Sequence, residues 1–233
     1  MPDLPAPLPP GERTMGQLVA ETIRLYGHVF WKALPLGLVP AVADQLSIHE
    51  TLPRQMAVYW GLTPLFAAAY LWACHVVHRV AVTPVAAAVA VAVWLPFPAL
   101  RALFVLPGIA WLALFGLGVP AAMVERLGFR EALTRGRRLG LADYAHALGS
   151  LAALVIVVGA SDSVLSALLH TQGSNGQRVA LFLSDLVLGP LLFLGGALLY
   201  LDQAARGVGS RRADLHPALD PDAAGRPDPQ VEP

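Results

Sequence analysis

The amino-acid sequence predicts an all-α, polytopic membrane bundle of six transmembrane helices with two amphipathic interfacial helices. The first observation is a set of long uncharged runs: residues 55–77, 80–100 and 102–124 carry no charged side chain, and residues 179–201 carry only Asp185. About 20 apolar residues cross the hydrocarbon core of a bilayer. The second observation is composition, with 56% hydrophobic and 14% charged residues, whereas a typical soluble domain has about 25% charged residues.

Charge and cysteine content exclude several classes of protein. The formal net charge is zero, which argues against a nucleic-acid partner because such proteins present a basic surface. The single cysteine, Cys74, cannot form an intramolecular disulfide or a cysteine metal cluster. The first residues lack the charged start and apolar core of a cleavable signal peptide.

Domain boundaries follow from changes in composition. Residues 1–13 hold five of the twenty prolines and are expected to form a disordered tail. Residues 14–206 are the six-span membrane domain. Residues 207–233 are rich in Pro, Asp, Arg and Gly and are expected to form a second disordered tail.

The first predicted element is an amphipathic helix over residues 15–28. Thr14 and Gln17 have the spacing of a capping box, which satisfies backbone donors at the start of a helix. Apolar side chains then recur on one helical face, with Glu21 and Arg24 off it. This pattern predicts a helix that lies in the cytoplasmic interface.

Six spans follow, and the distribution of positive charge orients them. The predicted spans cover residues 29–48, 57–77, 82–97, 102–124, 145–168 and 179–202. With the N-terminus inside, thirteen of the sixteen Lys and Arg residues fall on the cytoplasmic side and three outside, namely Arg54, Arg101 and Arg178. The positive-inside rule therefore predicts a protein of the cytoplasmic membrane with both termini in the cytoplasm.

The long inner loop, residues 125–144, has the pattern of a second, basic interfacial helix. Its predicted apolar face includes Ala132 and Gly136, and Glu131 stands four residues before Arg135 as a helical ion pair would. Four arginines are candidates for contact with anionic headgroups, each contributing about 1 kcal/mol near the surface. The alternative is that they only enforce topology. They are Arg130, Arg135, Arg137 and Arg138.

Three segments carry a resemblance to a known family. They are VERLGFREALTRGRRLGLADYAHALGSLAAL (124–154), GALLYLDQAARG (196–207) and RLYGHVFWKALPLGLVP (24–40). The chain resembles a group of uncharacterised bacterial membrane proteins related to the membrane domain attached to some glycerophosphoryl diester phosphodiesterases. The matching positions are Glu125, Gly128, Ala132, Leu133, Arg138, Leu139, Tyr200, Asp202 and Arg206. The resemblance implies a six-helix membrane domain of unknown biochemical role. It does not imply phosphodiesterase activity, because that chemistry belongs to a separate soluble domain.

Motifs of catalysis and of cofactor binding are absent from the sequence. It contains no P-loop, no Gly-x-Gly-x-x-Gly, no His-Glu-x-x-His and no Gly-x-Ser-x-Gly. His75 and His78 share a helical face, but zinc takes at least three protein ligands. We therefore expect no enzyme activity, no cofactor and no metal.

Three acidic residues inside the predicted spans are the candidate functional residues. Asp44, Asp162 and Asp185 each lie five to seven residues from the outer end of a different span, and an Asp at the bilayer centre costs roughly 2.5–3.5 kcal/mol on insertion scales. In one interpretation these carboxylates are protonated or hydrogen-bonded and lock helices together. In the other they line a polar pocket open to the outside that binds a cation, a proton or a headgroup amine. Gly159, Ser163 and Ala167 are predicted to form a close-packing face beside Asp162.

Two functions remain open from the sequence. The leading one is a non-enzymatic scaffold, accessory or envelope-homeostasis component of the membrane, with the lipid bilayer as its partner. The alternative is a small transporter or lipid-handling protein built on the outer-leaflet carboxylates. These differ in whether the three aspartates meet at one accessible cavity.

Overall fold

The computed structural model describes residues 9–169 and 173–215, and within these ranges every regular element is a helix. The all-α membrane bundle predicted from the sequence is confirmed. A short 3-10 helix, Leu34–Gly37, follows the first α-helix. The α-helices are α1 (Met15–Ala33), α2 (Leu38–Ser47), α3 (Leu52–His78), α4 (Pro84–Trp94), α5 (Phe97–Leu103), α6 (Val105–Phe115), α7 (Gly118–Val124), α8 (Phe129–Ala142), α9 (Tyr144–Leu169) and α10 (Gly173–Leu215).

Five helical stretches in the described part of the chain are long and apolar enough to cross a membrane, which makes this a multi-pass membrane protein. They are Leu52–His78, Pro84–Leu103, Val105–Val124, Tyr144–Leu168 and Asn175–Val208. The predicted span 29–48 is not one continuous helix. Val29 has non-helical backbone angles and the 3-10 helix interrupts the segment, because Pro35 has no N–H to donate to the preceding turn.

Helices α1 and α2 nevertheless run together along the length of α10, antiparallel to it. A Cβ at Gly195 would lie 3.3 Å from Thr22 Oγ1, and Gln45 Nε2 donates to the Arg178 carbonyl at 2.8 Å. The capping box of Thr14 and Gln17 is confirmed. The apolar face of α1 packs on α9 and α10, and the interfacial position of residues 15–28 stays a prediction.

The bundle has two ends, which we call distal and proximal. The distal end holds the end of α2, the start of α3 and helix α5. The proximal end holds α8, the start of α1 and residues 201–208 of α10. At this end residues 9–13 contact α10, and α10 continues to Leu215, beyond the predicted start of a disordered tail at residue 207. Residues 1–8 and 216–233 of the predicted tails lie outside the described residues.

Glycine permits the closest helix contact near the middle of α10. A Cβ at Gly37 would lie 2.6 Å from the carbonyl carbon of Leu186 and 2.7 Å from its Cα, and Gly189 packs beside Pro40. Pro190 stands four residues after Leu186, so the Leu186 carbonyl has no N–H donor at the usual helical position. The break in α1–α2 therefore meets α10 where its own hydrogen-bond ladder is interrupted.

Helix α8 is docked on the proximal end of the bundle. A Cβ at Gly136 would lie 2.6 Å from Gly118 Cα in α7, and Ala132, Leu139 and Gly140 are buried with it. The predicted Glu131–Arg135 pair is replaced by other contacts, because Glu131 accepts from the Gly128 N–H at 3.2 Å and caps the helix. Arg135 instead pairs with Glu125 at 2.9 Å.

Candidate functional site

One internal cavity of about 290 Å³ is lined by all three candidate aspartates. Asp44 comes from α2, Asp162 from α9 and Asp185 from α10, and residues of α3 to α6 complete the wall. We call this cavity the acidic chamber. The structure therefore brings together three carboxylates that are up to 141 positions apart in the sequence.

Asp44 has two partners at the distal mouth of the chamber. Its Oδ1 accepts a hydrogen bond from the Tyr59 hydroxyl and lies 3.5 Å from Arg101 Nη2. The Arg101 guanidinium also stands over the Tyr59 ring, with Cζ 4.1 Å from the ring centroid, an arrangement favoured by the negative face of the ring. Asp44 and Arg101 side chains are each 39% exposed, so this ion pair is accessible from outside the bundle.

Asp162 is tied to the neighbouring helix. Its Oδ1 accepts a hydrogen bond from the Ser184 hydroxyl of α10, which joins the distal halves of α9 and α10. Ser184 is buried and Asp162 is half-buried. Because a carboxylate can accept several hydrogen bonds, one serine leaves most of its accepting capacity free.

Asp185 differs from the other two acids because it is buried and unpaired. It is only 7% exposed, and its carboxylate has no hydrogen bond or ion pair with any residue that the structure describes. Asp44, Asp162 and Arg101 are all within electrostatic range of it. The only positive charge among these three belongs to Arg101, which is already engaged by Asp44. The chamber thus holds three carboxyl groups and one guanidinium.

The remainder of the chamber is apolar and aromatic. Phe66 stacks on Trp94 at 5.3 Å between ring centroids, and Phe193 lies 5.8 Å from Trp94. Deeper in the bundle, between α6 and α7, the Tyr70 hydroxyl donates to the Gly116 carbonyl at 3.2 Å. The same carbonyl accepts from the Val119 N–H at 3.3 Å. The wall at this depth includes Leu117 and Leu199. The chamber is therefore polar at its distal end and apolar below it.

The α9 side of the chamber is thinly packed. Ile156, Val164 and Leu168 of the distal half of α9 are 67%, 59% and 70% exposed. In the predicted close-packing face, Gly159 is exposed and a Cβ added there would meet no atom within 4 Å. Since Gly159 also lines the chamber, the absence of a side chain leaves open space on its wall.

A second polar cluster lies at the proximal end and was not predicted as a site. Asp202 is fully buried, 3.4 Å from Arg13 and 3.6 Å from His146. Arg206 binds Asp143 at 2.9 Å. Asp202 and Arg206 fall at the end of a span and His146 at the start of another, where polar residues usually meet headgroups, so nothing in the pattern indicated burial. These contacts hold the N-terminal segment, α9 and α10 together.

The four arginines predicted to meet headgroups lie on α8 in two different environments. Arg130, Arg137 and Arg138 are exposed, whereas Arg135 is held by Glu125, which also accepts from the Tyr200 hydroxyl at 2.8 Å. Headgroup contact by the three exposed arginines stays a prediction.

The two histidines of α3 have separate environments. His75 Nδ1 lies 2.8 Å from the Val80 carbonyl oxygen, and the His78 ring meets Tyr200 edge-on at 5.4 Å. Within the described residues, no group of three or more His, Cys, Asp or Glu side chains is arranged to hold a metal ion.

The sequence pattern predicts the three aspartates but not the side chains that contact them. Tyr59 and Ser184 are ordinary span residues by pattern, and Arg101 was counted only as an external charge. Arg101 did carry a signal, because it is the single charge between two long uncharged runs, and such charges usually pair with one another.

Comparison with known proteins gives this chain no relative: no family model, no curated protein and no solved structure matches it.

Proposed function

We propose that this is a non-enzymatic protein of the bacterial cytoplasmic membrane that binds a positively charged ligand in the acidic chamber, as a small transporter or lipid-handling protein. The observation that carries the proposal is that Asp44, Asp162 and Asp185, from three helices, line one cavity, where Arg101 is the one cation among the described residues that acts on Asp185. Separate hydrogen-bonded interfaces would have favoured a purely structural role.

The cost of burying Asp185 supports a ligand. Removing a polar or charged group from water without a partner costs free energy, by several kcal/mol per ion in real proteins. Asp44 and Asp162 each have a donor, whereas Asp185 has none in the described structure. A bound cation would give the Asp185 carboxyl group the partner that it lacks.

The predicted orientation determines the side of the membrane toward which the chamber opens. Most Lys and Arg residues lie toward the proximal end, including Arg130, Arg137 and Arg138 on α8. By the positive-inside rule this end belongs in the cytoplasm, and the chamber then opens toward the external leaflet. In this orientation we propose that the exposed arginines contact anionic headgroups of the inner leaflet.

A scaffold or accessory role is the second candidate, and a specific observation favours it. The Tyr59–Asp44 and Ser184–Asp162 hydrogen bonds join α3 to α2 and α10 to α9. Polar contacts of this kind contribute about 0.6 kcal/mol each between membrane helices. On this hypothesis the acids hold helices together and no ligand is required.

Kinship with the family of uncharacterised bacterial membrane proteins is also a proposal. What supports it is that residues carrying the resemblance meet in space. Tyr200 contacts Glu125, and Arg206 reaches Asp143 within the central segment. This kinship adds no ligand or activity to the proposal.

A binding experiment separates the two functions. The protein is placed in phosphatidylglycerol nanodiscs and its thermal unfolding is followed with butylammonium, dodecylammonium or uncharged dodecanol. A ligand at about 100 times its Kd stabilises the folded state by about 2.7 kcal/mol, which corresponds to a rise in Tm of about 5–10 °C for a domain of this size. We expect at least one ammonium probe to give this rise and dodecanol to give none.

Variants test whether the rise in Tm comes from binding in the chamber. Asp185→Asn should remove the rise in Tm. The matched control is Glu50→Gln, which neutralises an acid at the same end of the bundle that pairs with Arg54 outside the chamber. Asp162→Asn should keep the fold, because the amide can still accept from Ser184, and should weaken binding. Equal Tm values with and without both ammonium probes would leave the scaffold role as the better account.

A further inference from the structure

We propose that the ligand of the acidic chamber is a membrane amphiphile with a cationic, amine-bearing headgroup, which enters sideways from the distal leaflet between α5 and α9. This inference rests on the proposed function and narrows its ligand from any cation to one class. It follows from the depth of the chamber, from its open side and from the sign of its charge.

The chamber is too deep and too apolar for a small water-soluble cation alone. Along α10, lining residues extend from Asp185 to Leu199, a rise of about 21 Å at 1.5 Å per residue. One leaflet of hydrocarbon is about 15 Å thick. The carboxylates occupy only the distal end of this length, and the wall below them is formed by aromatic and aliphatic side chains such as Trp94 and Leu117. Such a wall suits an apolar chain better than a hydrated ion, which would lose its water there without polar partners.

The opening faces the hydrocarbon region of the membrane. Helix α5 packs on α3, α4 and α6, and α9 packs on α1, α6, α8 and α10, but within the described residues α5 and α9 have no extensive contact. Arg101 of α5, Val105 at the start of α6, and Gly159 and Asp162 of α9 all line the chamber at this level. The exposed aliphatic side chains of the distal half of α9 place this gap beside lipid. A molecule that already resides in the leaflet therefore has a direct path.

The charge of the chamber selects the headgroup. Three carboxylates face one guanidinium, and that guanidinium is engaged by Asp44 and stacked on Tyr59. Asp185 is more than nine-tenths buried, lines the chamber and has no partner among the described side chains. An ammonium group, with three N–H donors, can bridge Asp162 and Asp185. An anionic headgroup would bring a further negative charge to buried carboxylates.

Trp94 offers a direct reading of chamber occupancy. It is 8% exposed and lines the apolar part. In a variant with Phe at the other four tryptophans, Trp31, Trp60, Trp72 and Trp111, it is the sole indole of the chain. The probe is undecylammonium with bromine on the terminal carbon, because bromine quenches indole fluorescence on contact. In phosphatidylglycerol nanodiscs we expect saturable quenching by this probe. We expect little quenching by 4-bromobutylammonium or by the brominated C11 alcohol at the same membrane concentration.

Filling the open side supplies the structural control. Gly159→Leu places a side chain in the space on the chamber wall. It should raise the Kd of the long-chain ammonium, obtained from the quenching curve, by about tenfold or more, the equivalent of about 1.4 kcal/mol. The matched control is Gly61→Leu in α3, where a Cβ also meets nothing within 4 Å and the position is exposed outside the chamber. That variant should bind as the parent does.

Each other outcome has a distinct meaning. If butylammonium protects the protein in an Asp185-dependent way and the long-chain ammonium is no better, the amphiphile is overturned and the cation-binding function stands. If the brominated alcohol quenches as strongly as the ammonium, the cationic headgroup is overturned. If Gly159→Leu and Gly61→Leu bind alike, entry and seating beside α9 are overturned. If no ammonium binds, the proposed function fails and this inference fails with it.

Discussion

Replacing Gly37 with alanine should destabilise the protein and disturb the acidic chamber together. A Cβ at this position would lie 2.6 Å from the Leu186 carbonyl carbon and 2.7 Å from its Cα. Ordinary contact begins at about 3.4 Å, so the 3-10 helix that leads into α2 must move away from α10 by at least about 0.8 Å. Both neighbours are backbone, so no side-chain rotation can relieve the contact.

The expected magnitude is the difference between two opposing effects. Gly37 has φ −71° and ψ −16°, angles that alanine adopts freely, so the loss of unfolded-state entropy alone would stabilise by about 0.4–1 kcal/mol. Overpacking a well-packed core costs about 1–3 kcal/mol, and a clash between two backbones belongs at the upper end. We expect a net loss of about 1–2 kcal/mol in the free energy of unfolding.

The assay is unfolding by sodium dodecyl sulfate in bicelles, followed by tryptophan fluorescence. Gly27→Ala is the matched control, because Gly27 is an exposed α1 residue whose Cβ would meet nothing within 4 Å, and it should be stabilised by about 0.4–1 kcal/mol. Gly37→Ala should also weaken binding of the ammonium probe, since Asp44 and Asp185 lie on the two helices forced apart. If both alanine variants are stabilised alike, the close contact and its role in the site are refuted.

Three further predictions concern the two ends of the bundle. Reporter fusions at Gly173 and Gly209 should report the external and cytoplasmic sides respectively, and the reverse assignment would defeat the orientation drawn from the positive charges. Gly136→Ala should loosen α8 from the α7 backbone and lower the free energy of unfolding by about 1–2 kcal/mol on the same reasoning. An unchanged free energy of unfolding would contradict that packing. Spin labels on α8 should be shielded from water at Leu133 and accessible to it at Arg137, whereas equal accessibility would mean that α8 is not docked.

Fold class could be predicted from the sequence because membrane spans depend on a strong local signal. Uncharged runs near the length of a bilayer identify helices without any knowledge of their neighbours. The path of residues 15–47 could not be predicted with the same detail. Amphipathic periodicity in α1 indicates a face that must be covered, but it does not identify α9 and α10 as the helices that cover it.

The candidate site shows the same division. Asp44, Asp162 and Asp185 were identified because a carboxylate in a span is costly wherever it points. Their companions Tyr59 and Ser184 were missed because hydroxyls are unremarkable in membrane helices. The cavity below the acids depends on how seven helices pack and on the open space beside Gly159. Neither can be predicted from a local sequence pattern.

The interrupted ladder of α10 has a mechanical consequence. Asp185 and Asp202 stand at opposite sides of Pro190 on the same helix, about 26 Å apart along its axis. A helix that lacks one internal hydrogen bond bends more easily there than elsewhere, so Pro190 is the point at which α10 is expected to bend. The proximal part of α10 is held in place by the contacts of Asp202 with Arg13 and His146. We expect ligand binding to tilt the distal part of α10 about Pro190 while the proximal part keeps its position. The motion is then confined to the leaflet that supplies the ligand.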